Sequence, residues 1–276
     1  MPTVALDGTR FYYEERGSGP PLLLIHGTGG NTAMLAPVAQ LLAASHRVIT
    51  YDRRGFTQTA VHLASKKAYF RTHADDAAAL LRELGAPRAA VFGWSMGGVV
   101  ALGLAVHHPA AVSRLVLYEA PLHTKKHLTL GMARKLGGVV GLAKIGLQRR
   151  SATRFYRFAF GYKDGGNAFD ELDAPMRDAA LANARATLAE AEAGTGEELS
   201  RADLARVAVR CPIGLIVGGR SAPFLIDAVK RSAELFPSAR VIRIPDGDHV
   251  MNIRRPSVLA HAIEDLLSDA NARAET

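Results

Sequence analysis

Short apolar runs alternate with segments of helical length along most of this chain. The runs Leu22–Ile25, Leu115–Leu117 and Leu215–Val217 are apolar at every position, which is typical of strands covered on both faces of a sheet. The predicted strands are Phe11–Glu15, Pro21–His26, Arg47–Tyr51, Ala89–Trp94, Arg114–Glu119, Ile213–Gly218 and Arg240–Pro245. The predicted helices are Met34–Ala44, Thr72–Leu84, Met96–His107, Phe224–Phe236 and Pro256–Leu267. Because strand and helix follow one another in this order, we expect an α/β fold with a mostly parallel sheet of about eight strands and helices on both faces.

Residues 122–205 interrupt this alternation. They lack strong strand patterns, and their helical segments contain several glycines and a polar loop at Asp164–Asn167. We therefore predict one α/β core domain, made of residues 1–121 and 206–276, and a helical cap or lid inserted at 122–205, the cap insert. A chain of 276 residues, 48% of them apolar, is long enough for one such core and short for two enzyme domains.

The hexapeptide Gly93–Gly98 carries the strongest functional signal. It follows the apolar residues Ala89–Phe92 and opens an apolar helix that continues through Val99–Val106. A serine on so sharp a strand-to-helix turn takes a strained backbone conformation and needs small residues two positions before and after it. The turn lifts the Ser95 hydroxyl above the sheet and places the Met96 N–H at a helix N-terminus. We predict Ser95 as a nucleophile and the Met96 N–H as an oxyanion donor; the alternative is a glycine-rich turn whose serine only caps the helix.

A second glycine-rich turn, His26–Gly30, follows another apolar strand. The conformational freedom of its glycines lets the backbone N–H of Thr28 point at the same place as that of Met96. We therefore predict the Thr28 N–H as the second oxyanion donor. His26 itself is interpreted as a structural group that supports its turn by hydrogen bonding, with a catalytic role as the alternative. The charged segment Asp52–Gly55 is interpreted as charge pairing that fixes its own loop.

His249 is the candidate base. Among the ten histidines it is the one placed after the last predicted strand and before the last predicted helix, in the loop Pro245–His249. Imidazole is readily poised to take a proton near neutral pH. We predict that His249 reaches over the sheet and accepts the Ser95 proton; the alternative is a histidine on a surface loop.

Together these features resemble the α/β-hydrolase superfamily, in which nucleophile, acid and histidine occur in that order. The resemblance covers residues 1–121 and 206–276 and is carried by His26-Gly27, Asp52–Gly55, Gly93–Gly98 and His249. It is specific for the fold and the nucleophile, and it leaves the substrate open.

The position of the catalytic acid departs from the usual pattern of this superfamily. Members usually carry it on the loop after the strand that corresponds to Ile213–Gly218, where this chain reads Gly219–Pro223 without a carboxylate. Some branches, certain dehalogenases among them, place the acid at the end of the strand after the nucleophile helix, where Glu119 stands. The resemblance therefore implies that Glu119 orients His249 and stabilises its imidazolium. The competing side chains are Asp227, Asp248 and, without a charge, Ser221.

A serine activated in this way attacks an acyl carbon and forms an acyl-enzyme that water releases. We expect an enzyme that cleaves a small to medium, mainly apolar carboxylic ester, lactone or thioester. The substrate-binding residues expected are Trp94, Leu136, Phe155 and Phe158. The same triad serves acyl-coenzyme A or carrier-protein thioesterases, C–C bond hydrolases, perhydrolases and lyases, so these alternatives stay open. A ligand receptor or regulatory protein with this fold is the non-enzymatic alternative, because the acid is missing from its usual place.

Charge and composition bear on cofactors and partners. The net charge is +8, yet residues 120–163 hold ten basic residues and no acid, while residues 164–198 hold nine acids and two arginines. Two cap segments of opposite sign attract one another, so we expect pairing within the cap insert and no nucleic-acid partner. The single cysteine, Cys211, excludes an intramolecular disulfide, and we expect neither a metal nor an organic cofactor.

No stretch approaches the roughly 20 apolar residues of a membrane helix, and the first residues lack the pattern of a secretion signal. We therefore expect a cytoplasmic protein that binds a small-molecule substrate and no membrane. The oligomeric state stays open, with a homodimer as one alternative.

Overall fold

One sheet runs through the structure, a computed structural model that describes residues 2–59, 69–122, 129–193 and 199–268. Its eight strands are β1 Thr3–Leu6, β2 Thr9–Arg16, β3 Pro21–Ile25, β4 Arg47–Tyr51, β5 Ala89–Trp94, β6 Val112–Tyr118, β7 Ile213–Gly218 and β8 Arg240–Ile244. They lie in the order β1-β2-β4-β3-β5-β6-β7-β8. The pairs β1–β2 and β2–β4 are antiparallel, and the remaining pairs are parallel. The predicted α/β fold with a mostly parallel sheet is confirmed.

Strand β1 is absent from the predicted strands. It has only four residues and lies at the sheet edge, where Thr3 and Ala5 are exposed. It pairs with β2 through a two-residue hairpin at Asp7 and Gly8, whose φ angles are 45° and 73°. An Asp-Gly pair between two strand-like segments is a strong hairpin signal, since Gly and Asp tolerate the positive φ that such turns need. That pair could have revealed the strand.

The helices of the described residues alternate with the strands as predicted and then fill the insertion. They are α1 Thr32–Leu42, α2 Tyr69–Glu83, α3 Met96–His107, α4 Leu130–Lys144, α5 Gln148–Ala159, α6 Ala168–Glu171, α7 Ala174–Ala182, α8 Ala184–Ala193, α9 Arg201–Arg210, α10 Pro223–Leu235, α11 Met251–Arg254 and α12 Pro256–Ser268, with a 3-10 turn at Pro109–Ala111. The five helices predicted for the core agree with α1, α2, α3, α10 and α12 to within three residues at each end.

Alternate residues of β3 explain why its sequence is apolar throughout. Leu23 and Ile25 pack in one cluster with α2 and α3, whereas Leu22 and Leu24 pack in another with α1 and α12. All four side chains are fully buried. Successive strand residues point to opposite faces, so a strand between two helical layers has no solvent-facing position. Each buried leucine stabilises the fold by about 1.5–3 kcal/mol relative to an exposed one.

Helices α4 to α8 lie within the cap insert, of which residues 123–128 and 194–198 are outside the described residues. Helix α4 is mostly exposed, and Val139 is its buried residue. Helix α9 continues across residue 205, and its Leu204 and Val207 are buried in the same cluster as α3. The predicted boundary at 205 therefore lies inside a helix, and the division into core and cap insert stays a prediction.

Candidate active site

Ser95 occupies the single residue between the end of β5 and the start of α3. Its φ of 55° and ψ of −123° lie in a region that residues with a side chain rarely adopt. The backbone is held there, because Ser95 N–H donates to the Tyr118 carbonyl at 2.8 Å and Gly98 N–H donates to the Ser95 carbonyl at 2.8 Å. The Ser95 side chain makes no capping hydrogen bond to the helix, so it is not a capping serine.

Glycines beside this turn allow strands and helix to approach one another closely. A Cβ at Gly97 would lie 2.2 Å from the Ile25 carbonyl oxygen of β3, which no real contact tolerates. A Cβ at Gly27 would lie 2.9 Å from the Ser95 Cβ itself. The turn after β3 and the turn after β5 therefore lie against each other only because both positions lack side chains.

His249 and Glu119 meet at the same edge of the sheet. His249 follows β8 in the chain, and its Nδ1 lies 2.5 Å from Glu119 Oε2. The other carboxylate oxygen, Oε1, accepts the Gly218 N–H at 2.7 Å. Both side chains are buried, at 1% and 0% exposure, so solvent does not compete for these contacts.

The competing acids are engaged elsewhere. Asp248 accepts the Val250 N–H and pairs with Arg254 at 2.8 Å, while Asp227 lies on α10, exposed and 3.5 Å from Lys230. Ser221, which stands where the superfamily usually carries its acid, is buried, and its hydroxyl has no hydrogen-bond partner among the described residues. Of the candidates named from the sequence, Glu119 is the one in contact with His249.

The turn after β3 is supported by His26, which is fully buried. Its Nδ1 donates to the Gly27 carbonyl at 2.8 Å, and its Nε2 accepts the Arg53 N–H at 3.0 Å. Burial, together with the nearby Arg53 guanidinium, holds the pKa of His26 well below its ordinary value, so the ring is neutral. This neutral form has one donor and one acceptor nitrogen, which matches its two partners.

The charged segment Asp52–Gly55 is only partly what the sequence suggested. Asp52 fixes loops by accepting the backbone N–H groups of Thr32 at 2.8 Å and Gln58 at 3.0 Å. Arg53, however, pairs with Glu190 of the cap insert at 2.6 Å and not with a charge of its own loop. A partner so distant in the chain leaves no local pattern from which it could be predicted.

A cavity of about 330 Å³ lies beside Ser95 and His249. Ser95, His249, Thr28 and Met96 all line it, and so do Trp94, Leu136, Phe155 and Phe158, the side chains expected to bind substrate. Trp94 also donates its indole N–H to the His249 carbonyl at 2.8 Å, so it supports the histidine loop as well as the cavity wall. The lining further includes Phe224 and Glu190, which were not identified from the sequence.

Oppositely charged parts of the cap insert are in contact at its surface. Arg149 pairs with Asp178 at 3.1 Å, and Arg157 pairs with Asp170 at 2.9 Å. In both pairs a residue of the basic stretch meets one of the acidic stretch, as the charge pattern predicts. These exposed pairs contribute little to stability, typically about 0–1 kcal/mol each.

Metal-binding clusters and membrane-spanning helices are both absent from the part of the chain that the structure describes. No group of three or more His, Cys, Asp or Glu side chains is arranged there to hold a metal ion. In the same part of the chain, no helix has the length and apolar character needed to cross a membrane.

Comparison with known proteins gives a family match and several partial relatives. A family model described as alpha/beta hydrolase fold matches residues 20–256. The uncharacterized hydrolase YraK of Bacillus subtilis is 40% identical over 119 residues, 42% of this chain and 43% of that protein. A pimeloyl-[acyl-carrier protein] methyl ester esterase of Vibrio cholerae is 40% identical over 107 residues, 38% of either chain. The chain therefore matches less than half the length of these two relatives.

A solved structure resembles nearly the whole chain. The enol-lactonase from Burkholderia xenovorans superimposes with a TM-score of 0.75 and 21% sequence identity, covering 97% of this chain and 100% of that one. At this identity the likeness concerns the fold.

Proposed function

The chain belongs to the alpha/beta hydrolase family, and from this premise we propose that it is a serine hydrolase of the esterase class. In this proposal Ser95 is the nucleophile, His249 the general base and Glu119 the acid that orients the base. The observation that carries the proposal is the buried 2.5 Å contact between Glu119 and His249 at the cavity that Ser95 lines.

Glu119 determines which nitrogen of His249 is free to act. Because Nδ1 faces the carboxylate, Nδ1 carries the ring proton and donates a hydrogen bond to Oε2. Nε2 is then unprotonated and can accept a proton. Nε2 takes the proton of Ser95 as Oγ attacks the acyl carbon, and it returns that proton to the leaving group. The Gly218 N–H holds the second carboxylate oxygen, so Glu119 keeps its orientation while the imidazolium forms.

The backbone N–H groups of Thr28 and Met96 are the proposed oxyanion donors. Met96 is the first residue of α3, where N–H groups have no partner within the helix and the helix dipole favours negative charge. Thr28 lines the same cavity from the turn after β3. Such preorganised donors stabilise the tetrahedral intermediate because they need not reorient as charge develops on the oxygen.

Cavity size and lining favour a small to medium, mainly apolar acyl group. A volume of about 330 Å³ is at the lower end for small-molecule sites, and most of the lining is aliphatic or aromatic. The esterase named among the partial relatives acts on an ester, which agrees with this class of substrate.

The proposal is tested with p-nitrophenyl esters of increasing acyl length, aliphatic lactones and acyl thioesters, assayed with the parent, Ser95→Ala and Ser238→Ala. Ser238 is exposed after α10, so its substitution is the matched control. We expect parental rates for Ser238→Ala and loss of turnover for Ser95→Ala. Equal rates in the parent and Ser95→Ala would show that Ser95 is not the nucleophile. Failure of a fluorophosphonate probe to label Ser95 would favour the receptor alternative.

A second cavity favours thioesters with an anionic carrier as the alternative substrate class. It measures about 520 Å³, and its charged lining consists of three basic residues, Lys135, Arg157 and Arg231, and one acid, Asp227. Met132, Phe158 and Phe224 line both cavities. A substrate whose acyl group fills the first cavity could place a phosphate-bearing carrier near these cations. A higher kcat/KM for acyl-coenzyme A than for the matched neutral thioester would support this alternative.

A further inference from the structure

The peptide unit between Gly27 and Thr28 is anchored by its carbonyl oxygen. The Gly27 oxygen accepts three hydrogen bonds: from His26 Nδ1 at 2.8 Å, from Gly30 N–H at 3.1 Å and from Arg53 Nη2 at 3.2 Å. The C=O and N–H of a planar trans peptide point in opposite directions. Holding the Gly27 carbonyl therefore also fixes the direction of the Thr28 N–H, and Thr28 lines the reactive cavity.

Arg53 depends in turn on the cap insert. Its Nη1 donates to Glu190 Oε1 at 2.6 Å and its Nη2 donates to Glu190 Oε2 at 3.1 Å, a bidentate pair. The two side chains are 0% and 1% exposed, and the Phe56 ring lies 4.5 Å from the guanidinium carbon. Glu190 lies on α8 and is itself part of the cavity wall.

Two further groups of the cap insert touch the same turn. Asn183 Nδ2 donates to the carbonyl oxygens of Gly29 and Gly30, each at 3.2 Å. A Cβ at Gly29 would lie 2.1 Å from the Tyr156 hydroxyl oxygen, so α5 packs directly on the turn. The turn that carries Thr28 is thus held from the core by His26 and from the cap insert by α5, Asn183 and the Arg53–Glu190 pair.

We infer that Arg53 and Glu190 are positioning residues through which the cap insert sets the oxyanion donor at Thr28. The inference rests on the proposed function, in which that N–H stabilises the tetrahedral intermediate. Glu190 fixes the guanidinium, the guanidinium fixes the Gly27 carbonyl, and the carbonyl fixes the Thr28 N–H. Because Glu190 also lines the cavity, the position of α8 and the competence of the oxyanion hole are linked.

The test compares a single and a double variant. Glu190→Gln leaves Arg53 buried without a counter-charge, which both destabilises the fold and loosens the contact with Gly27. The double variant Arg53→Met with Glu190→Met removes both charges, and apolar replacement of a whole buried pair is often tolerated. It therefore keeps the packing but loses the hydrogen bond to the Gly27 carbonyl.

We expect kcat to fall roughly tenfold to hundredfold in both variants, with KM within about threefold of the parent, as for a partly lost oxyanion donor. Rates are normalised to the concentration of folded protein, measured by circular dichroism. The affinity for an alkyl trifluoromethyl ketone, which forms an oxyanion on Ser95, should fall by the same factor as kcat. The affinity for the matching secondary alcohol, which forms none, should stay at the parental value. Asp178→Asn removes an exposed pair of the cap insert and should match the parent throughout.

A double variant with parental kcat per active site would overturn the inference, because the pair would then serve stability alone. So would a fall in kcat without the matching loss of ketone affinity. Absence of Ser95-dependent turnover in the parent is a different result: it would refute the proposed function before any variant is compared.

Discussion

Replacing Glu119 by Gln isolates the role of its charge. The carboxylate receives two N–H donors, Gly218 at 2.7 Å and His249 Nδ1 at 2.5 Å, and is fully buried. Gln has nearly the same shape but only one acceptor oxygen. The Gly218 N–H belongs to the backbone at the end of β7 and cannot turn away, so the amide oxygen faces it. The amide NH₂ then faces His249, which must present Nδ1 as an acceptor and carry its proton on Nε2.

The size of the effect follows from this change of tautomer. A histidine protonated at Nε2 cannot accept the Ser95 proton, and the imidazolium loses its counter-charge. In serine proteases the equivalent acid-to-amide change lowers kcat about 10⁴-fold. We expect a loss of about 10³–10⁴-fold in kcat, equal to about 4–5.5 kcal/mol of transition-state stabilisation. KM should change little, because Glu119 does not line the cavity.

Stopped-flow measurement of the acylation burst with a p-nitrophenyl ester provides the assay, with circular dichroism to verify the fold. Asp265→Asn is the matched control, since Asp265 is exposed and pairs with Arg240 at the start of β8, whereas His249 follows the end of that strand. It should keep the parental burst rate. A folded Glu119→Gln variant whose burst rate lies within tenfold of the parent would refute the reasoning and remove Glu119 from the triad.

Three further predictions concern stability and motion. Ser221→Ala removes a buried hydroxyl without a partner among the described residues, so urea unfolding should show about 1 kcal/mol higher stability; a decrease would contradict it. Gly137→Ala and Gly141→Ala place methyl groups in open space on α4 and should slow hydrogen exchange of residues 130–144, each favouring the helix by about 1 kcal/mol; unchanged exchange would contradict it. Burial, with Arg53 nearby, holds the pKa of His73 well below 6.5, so below that pH the unfolded chain binds a proton that the folded chain does not. The free energy of unfolding should then fall by up to about 1.4 kcal/mol for each unit by which the pH is lowered, and His73→Leu should remove this contribution. Equal losses of stability in the parent and the variant between pH 7.5 and 5.5 would refute it.

The sheet could be predicted from the sequence because its strands are selected by a simple physical condition. A parallel strand between two helical layers must be apolar on both faces, as Leu22–Ile25 and Ile213–Gly218 are. Edge strands escape that condition: β1 has two exposed residues among four, and only its Asp-Gly turn marks it. The pattern therefore predicts the centre of the sheet better than its border.

The residues of the candidate site also differ in how well the sequence predicts them. Ser95 and His249 stand at positions that the fold itself defines, a strand-to-helix turn and the loop after the last strand, so local sequence identifies them. Glu190 and Asn183 act through contacts 137 and up to 154 positions away in the chain, and their neighbours carry no motif. Which side chain of a helical insertion contacts the core depends on tertiary packing, and no local sequence pattern marks such a residue.

Ser95 and Glu119 occupy equivalent places on neighbouring strands, which is how Glu119, the proposed acid, can act from the strand next to Ser95. Each follows the last residue of its strand, and each has a positive φ, 55° and 49°. Trp94 pairs with Tyr118 in the sheet, so the two strained residues lie side by side at its edge. Strain of about 1–3 kcal/mol per residue persists only where the surroundings enforce it, and here the sheet does so. The next strand, β7, usually precedes the acid in this superfamily; here its last residue, Gly218, gives its N–H to the Glu119 carboxylate instead. The proposed acid therefore lies one strand closer to the proposed nucleophile than an acid after β7 would, and its carboxylate still reaches His249.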